Sequence, residues 1–118
     1  MEFVLTFHQP AEVFQVNLDP VKGASAMQAW KLYMEAMAAA GVLRGGNRLD
    51  AFNPTSVSVR DGKRHVQDGP FADTKEQLGG YFIIDVPHLD AALEWAARAP
   101  CASTGGVEIR PVMPRRAA

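Results

Sequence analysis

The chain has 118 residues, 47% of them hydrophobic, which is enough for one core and too few for two, so residues 1–118 are expected to form a single domain. Lys and Arg number 12 against 13 Asp and Glu, a net charge of -1, and no basic block occurs beyond Arg115 and Arg116, which argues against a nucleic-acid partner. The lone cysteine, Cys101, excludes an internal disulfide and a cysteine-pair zinc site and reads as a small packing residue.

The opening "MEFVLTFHQP" has no basic start, long apolar run or small-residue cleavage site. No segment approaches the roughly 20 apolar residues of a membrane span, so a cytoplasmic protein without a membrane partner is expected. In "EFVLTFH", Phe3, Leu5 and Phe7 alternate with Val4, Thr6 and His8, the period of a strand with two largely apolar faces. His8 falls on the face opposite Phe3, Leu5 and Phe7, which makes it a candidate to meet a ligand. Residues 10–23 carry Pro10, Pro20 and Gly23 and no consistent period, and read as a loop covering part of a cleft.

Helix one follows. Met27, Trp30, Met34 and Met37 keep helical spacing, with Gln28, Lys31 and Glu35 opposite, and these apolar residues read as core. Ser25 and Gln28 match a capping box, and Gly41 supplies the stop. "VLRGGNRL" is a short strand in which Gly45 and Gly46 predict a bulge or a close backbone approach that a ligand could exploit. "TSVSVRDGKRHVQD" predicts a hairpin turning at Asp61-Gly62, pairing Arg60 with Lys63, Val59 with Arg64, Ser58 with His65 and Val57 with Val66.

"GYFIIDV" puts Tyr81, Ile83 and Asp85 on one face and Phe82, Ile84 and Val86 on the other, so both faces call for cover. In helix two, Leu89, Ala92, Leu93 and Ala96 form the stripe and Pro100 ends it; His88 stands at its start, where it caps or faces solvent. "GVEIRPV" is a last strand with Pro111 at an edge or end. The order predicts an α+β fold, the ferredoxin-like split βαβ with an inserted β-hairpin, an antiparallel sheet with helices on one face. The other face is expected to be buried in a homodimer, sheet against sheet.

Chemistry-bearing residues concentrate in "HVQDGPFADTKEQLGGY". Asp68, Asp73, Lys75 and Glu76 crowd a Gly-Pro turn, and carboxylates beside an ammonium group in a cleft acquire acid/base character. In this reading Asp68 is the proton acceptor, Glu76 and His65 assist in catalysis, and Lys75, Asp73, Tyr81 and His8 contact a ligand. The alternative is structural: Asp68-Gly69-Pro70 is a turn, Asp73 with Glu76 or Thr74 with Gln77 caps a short helical turn, and Phe71 plugs the core. The histidines His8, His65 and His88 fit no helical metal pair, and no glycine-rich loop fits a nucleotide, so neither metal nor cofactor is expected.

"DGPFADTKEQLGGYFIIDVPHLDAALEWAARAP", preceded by "AAGVLRGG" and "SVSVRDGK" and followed by "VEIRPVM", closely resembles the YCII-related group, often called the DGPF domain. The resemblance runs from helix one onward and implies a dimeric α+β barrel of ferredoxin-like protomers. One branch of that family includes a dehydrochlorinase acting on a chlorinated hydroxyquinol and carries a His on helix one and an Asp after helix two. Counted back from Gly41, the His position falls at Trp30, and the Asp that precedes proline falls at Ala99. Neither side chain moves a proton. The resemblance therefore implies the fold and no settled activity. The polar cluster and the dimer's apolar cleft suggest a cofactor-independent enzyme of lyase, dehydrochlorinase-like or isomerase-like type acting on a small molecule. The family's association with stress-response sigma factors implies a non-catalytic binding or regulatory protein.

Overall fold

Alternation in the first strand sets the core. The computed structural model of the chain describes residues 1–71 and 74–115. Strand β1 (Glu2–Pro10) buries Phe3, Leu5 and Phe7 on one side and leaves Val4, Thr6 and His8 partly exposed on the other. Chain order continues with α1 (Ala11–Leu18), α2 (Ala24–Ala39), β2 (Leu43–Arg48), β3 (Thr55–Arg60), β4 (Lys63–Asp68), β5 (Glu76–Asp85), α3 (Leu89–Ala97) and β6 (Gly106–Pro111).

Four strands form one antiparallel sheet in the order β2-β5-β1-β6, the ferredoxin-like arrangement, and β3 with β4 forms a separate hairpin. Register places Phe3 opposite Ile84 and Pro111, Leu5 opposite Phe82 and Ile109, and Phe7 opposite Gly80 and Val107. Opposed residues share a face, so these pairs make one apolar layer. Tyr33 and Met37 of α2 and Ala92 and Ala96 of α3 close over it, with Cys101 fully buried beside them. Burying a side chain the size of Phe3, Leu5 or Ile84 is worth about 1.5–3 kcal/mol, so this layer dominates stability.

Several local expectations hold in detail. The Asp61-Gly62 turn gives the hairpin the expected register from Arg60↔Lys63 to Val57↔Val66, with φ of 52° and 74° at the two turn residues. The register of β2 on β5 shifts between Leu43 and Gly45. A Cβ on Gly46 would overlap the Phe82 ring and the Tyr81 carbonyl, so close backbone approach is the reason for that glycine. His88 caps α3, its Nδ1 accepting from the Ala91 N–H at 3.2 Å.

Other expectations are corrected. Residues 10–23 are not a loop throughout: Ala11–Leu18 is helical, starting from Pro10, whose φ of -58° suits a helix entry. The Ser25-Gln28 capping box does not form, because α2 begins two residues earlier, at Ala24 on the backbone of Gly23, with no side-chain cap. On α3 only the alanines of the stripe are buried, while Leu89 and Leu93 are exposed, since small residues let the helix lie close to the sheet. Phe71 plugs no core of this chain, being 72% exposed. No helical turn follows it at Thr74–Gln77, because Glu76 already belongs to β5 and the Thr74 hydroxyl donates to the Glu76 carbonyl at 2.6 Å.

Both helices that cover the core lie on one side of the sheet. The opposite side carries Val4, Thr6, His8, Ile83 and Glu108, and no helix covers it among the described residues. The described chain is a slab of 49 × 49 × 18 Å with a radius of gyration of 16.3 Å. A compact domain of this length has a radius of about 13–14 Å.

Candidate functional site

Two cavities flank the sheet. The first, about 440 Å³, lies on the helix side. Its floor is Phe7, buried on β1, whose ring meets Trp30 of α2 edge to face at 4.9 Å and Phe82 of β5 at 5.5 Å. Such T-shaped contacts hold the rings in fixed orientations. Phe14 and Asn17 of α1 form another wall, and Met27 and Met34 of α2 a third. Gly46, Gly79 and Gly80 bring bare backbone to the opening, so two strands approach without side chains in the way. The charged residues lining this cleft are Lys31 and Arg48; among the described residues no carboxylate, histidine or cysteine lines it. An apolar cavity with two cations at its rim accommodates a planar body that bears negative charge or a polarised oxygen.

The second cavity, about 780 Å³, opens beside the uncovered face of the sheet. His8 lines it and bonds Thr6 Oγ1 through Nε2 at 2.9 Å. Asp50, Glu76 and Glu108 are its carboxylates, and no lysine or arginine lines it among the described residues. Two of the three carboxylates are already engaged. Asp50 accepts from Asn53 Nδ2 and the Phe52 N–H, both at 2.9 Å, which lowers its pKa and fixes a turn. The Arg110 guanidinium, 3.1 Å from Glu108 Oε1, holds that carboxyl below the usual range. Glu76 differs: its Oε2 is buried and has no hydrogen-bond partner among the described residues. An unsatisfied buried carboxylate oxygen is costly, so it calls for a donor from outside the described chain.

The candidate residues read from sequence therefore separate. His8 and Glu76 meet in the acidic cavity. Tyr81 borders the aromatic cleft and accepts a hydrogen bond from Asn47 Nδ2 at 3.0 Å. Asp68 and His65 are exposed on β4, Lys75 is exposed just before β5, and none of the three lines either cavity. Asp73 lies outside the described residues. The Asp68-Gly69-Pro70 stretch is a turn: Gly69 has φ of +102°, its N–H donates to the Pro54 carbonyl at 2.8 Å, and its carbonyl accepts from Ser56 Oγ at 2.6 Å.

Sequence reasoning missed Phe14, Lys31 and Arg48, and it placed Met27 and Met34 in the core although they are 58% and 43% exposed. The glycine pair of β2 and the expectation of a covering segment at 10–23 were the signals that pointed to the cleft. Of the two positions where the resemblance implies a His-Asp pair, Trp30 lines the cleft and Ala99 is buried in the core. Among the described residues no group of three or more His, Cys, Asp or Glu is placed to hold a metal ion, and no helix is long and apolar enough to cross a membrane.

Comparison with solved structures finds similarity to the 5-chloro-2-hydroxyhydroquinone dehydrochlorinase TftG of Burkholderia phenoliruptrix AC1100 in complex with 2,5-dihydroxybenzoquinone. The TM-score is 0.56 over 96% of this chain and 94% of that one, at 15% identity, a likeness of fold. An uncharacterized protein of Rhizobium meliloti (strain 1021), R00369, is 51% identical over 53 residues, a stretch spanning 43% of this chain and 43% of that relative. The YCII-related domain profile matches residues 1–116, essentially the whole chain, and the ferredoxin-like sheet with its inserted hairpin is the matching architecture; the protein belongs to the YCII-related family.

Proposed function

We propose that this protein binds a small planar molecule carrying an anionic or carbonyl oxygen in the aromatic cleft, and that it does so as a cytoplasmic homodimer packed through the uncovered sheet face. The observation that carries the reading is the composition of the cleft: Phe7, Phe14, Trp30 and Phe82 around about 440 Å³, with Lys31 and Arg48 as the charges. Aromatic walls take the flat body, and the cations take the oxygen. The quinone named in the TftG complex is a molecule of that kind, which supports the choice of probe.

Binding without turnover is the reading the lining favours. No residue that transfers protons near neutral pH lines the cleft among the described residues, and Trp30 stands where one branch of the family has its histidine. A second reading, acid/base catalysis, rests on a different observation: the unpartnered Glu76 Oε2 in the cavity that His8 also lines.

Isothermal titration with 2,5-dihydroxybenzoquinone and with a naphthalene carboxylate tests both. Saturable binding that weakens at least tenfold in Lys31→Ala and Arg48→Ala, with the probe recovered unchanged after long incubation, is expected. Product formation that survives Lys31→Ala but is lost in His8→Ala or Glu76→Gln would replace the binding reading with the catalytic one. Absence of binding to either probe would reject the aromatic cleft as a site for planar oxyanions.

A further inference from the structure

The β3–β4 hairpin stands apart from the body. Its strands pack on each other, and neither makes an extended contact with another element among the described residues. Every residue of β4 is exposed. Register puts Val57, Val59, Arg64 and Val66 on one face, and the three valines are 55%, 60% and 58% exposed. The other face carries Ser56, which is buried, and Ser58, which is half-buried. The apolar face is thus the free one. An isolated two-stranded hairpin is marginal in water, and a row of exposed valines on it is a surface that calls for cover.

We propose that this hairpin is an arm that docks on a second copy of the chain, laying Val57, Val59 and Val66 on its partner and setting Arg64 against the acidic cavity of His8, Glu76 and Glu108. The proposal rests on the dimer reading above and adds the contact that completes the cavity.

Charge selects the occupant. Arg60, Lys63 and Arg64 cluster around the arm's turn, against one opposing charge at Asp61. The cavity presents three carboxylates without a lining lysine or arginine among the described residues; Asp50 is held by Asn53 and Glu108 by Arg110 beside it, which leaves Glu76 as the unengaged acid. Glu76 Oε2 is buried without a donor among the described residues, and a guanidinium supplies one. A two-fold axis makes the exchange reciprocal, each arm meeting the other copy's cavity, so no third component is required. The thin slab and its large radius of gyration fit a protomer whose arm is built to lie on a neighbour.

Sedimentation equilibrium on the full chain at low and moderate salt tests this, with circular dichroism as the folding control. The wild type is expected to be a dimer. Arg64→Glu and Glu108→Arg change exposed positions and should each weaken association at least tenfold. An equimolar mixture of these two variants should recover most of the lost affinity, because every arm then meets a cavity of opposite charge. Val57→Glu in an otherwise unaltered arm should also weaken association, by burying a charge where the valine face docks. A wild-type monomer would overturn both the dimer and the arm. A dimer indifferent to Arg64→Glu and Val57→Glu would leave the sheet-face dimer standing and overturn the arm, and weakened single variants that fail to rescue each other would overturn the pairing of arm with cavity.

Discussion

Phe14 of α1 occupies the space that a side chain at Gly79 of β5 would need: a Cβ there would overlap Cε1 and Cζ of the ring. Helix α1 has no buried residue of its own, so this contact and the neighbouring Phe52 ring, 6.4 Å away, do much to hold it over the cleft. A glycine in mid-strand thus positions one wall of the aromatic cleft.

Gly79→Ala is expected to push the Phe14 ring aside and loosen α1. The end of a ring can swing, so the cost in global stability should be at the low end of overpacking, about 1 kcal/mol. The effect on probe binding in the cleft should be larger than the effect on stability. Urea denaturation and titration with the same planar probe measure the two separately. A variant that binds as the wild type does would show that α1 is not a wall of the site.

Tyr33 ties the two covering helices together, its hydroxyl donating to the Trp95 carbonyl at 2.8 Å from a buried position on α2. Tyr33→Phe should cost about 1 kcal/mol, the net worth of one such bond, since the Trp95 carbonyl keeps the Arg98 N–H at 3.1 Å. Burial, reinforced by the nearby Cys101, pushes the Tyr33 pKa well above the ordinary phenol value. A folded-state pKa above the unfolded one stabilises the fold fully below about pH 10 and loses that contribution as pH rises further. In a spectrophotometric titration Tyr33 should ionise only as the protein unfolds.

How much of this was legible in the sequence depends on what each residue responds to. The hairpin register followed from Asp61-Gly62 and alternating valines because both act locally, and the β2 bulge followed from Gly45-Gly46 for the same reason. Helix α1 was not legible: Val13, Phe14 and Val16 face a cleft and solvent rather than a core, so their spacing carries little amphipathic signal. Met27 and Met34 exposed a different limit. Helical spacing identifies a face, and a wall of a cavity has the same spacing as a packed core. The "DGPF" cluster combined residue types that serve both turns and chemistry; only the fold separated Glu76, inside a cavity, from Asp68, exposed at a strand end. His8 was placed correctly on the face opposite Phe7 because strand alternation leaves no choice of side.

Cys101 offers a probe of opening. It is fully buried, its Sγ 3.7 Å from the Gly106 carbonyl, and burial pushes the thiol pKa up to about 11. At pH 8 its reaction with a thiol reagent should proceed only through unfolding and run orders of magnitude slower than for an unfolded control. Because the folded pKa exceeds the unfolded one, the associated stability is present below about pH 8.5 and disappears as pH rises through about 11. Rapid labelling under native conditions at pH 8 would contradict the packing described for α3 and β6.

Gly62 tests whether the arm is an independent unit. Its φ of +74° lies in the left-handed region, and a Cβ there would meet nothing within 4 Å, so substitution adds backbone strain without a clash. A β-branched residue in that conformation costs roughly 1–2 kcal/mol. Since β3 and β4 pack chiefly on each other, Gly62→Val should destabilise the hairpin locally and leave the core of the four-stranded sheet unaffected. Hydrogen exchange measured by mass spectrometry should accelerate at residues 55–68 and, as the partner's cavity is uncovered, at residues 8 and 76–78, and stay unchanged at residues 3–5 and 82–84. If exchange at residues 3–5 and 82–84 accelerates as well, the hairpin is coupled to the sheet core, and the arm cannot be treated as a separate folding unit.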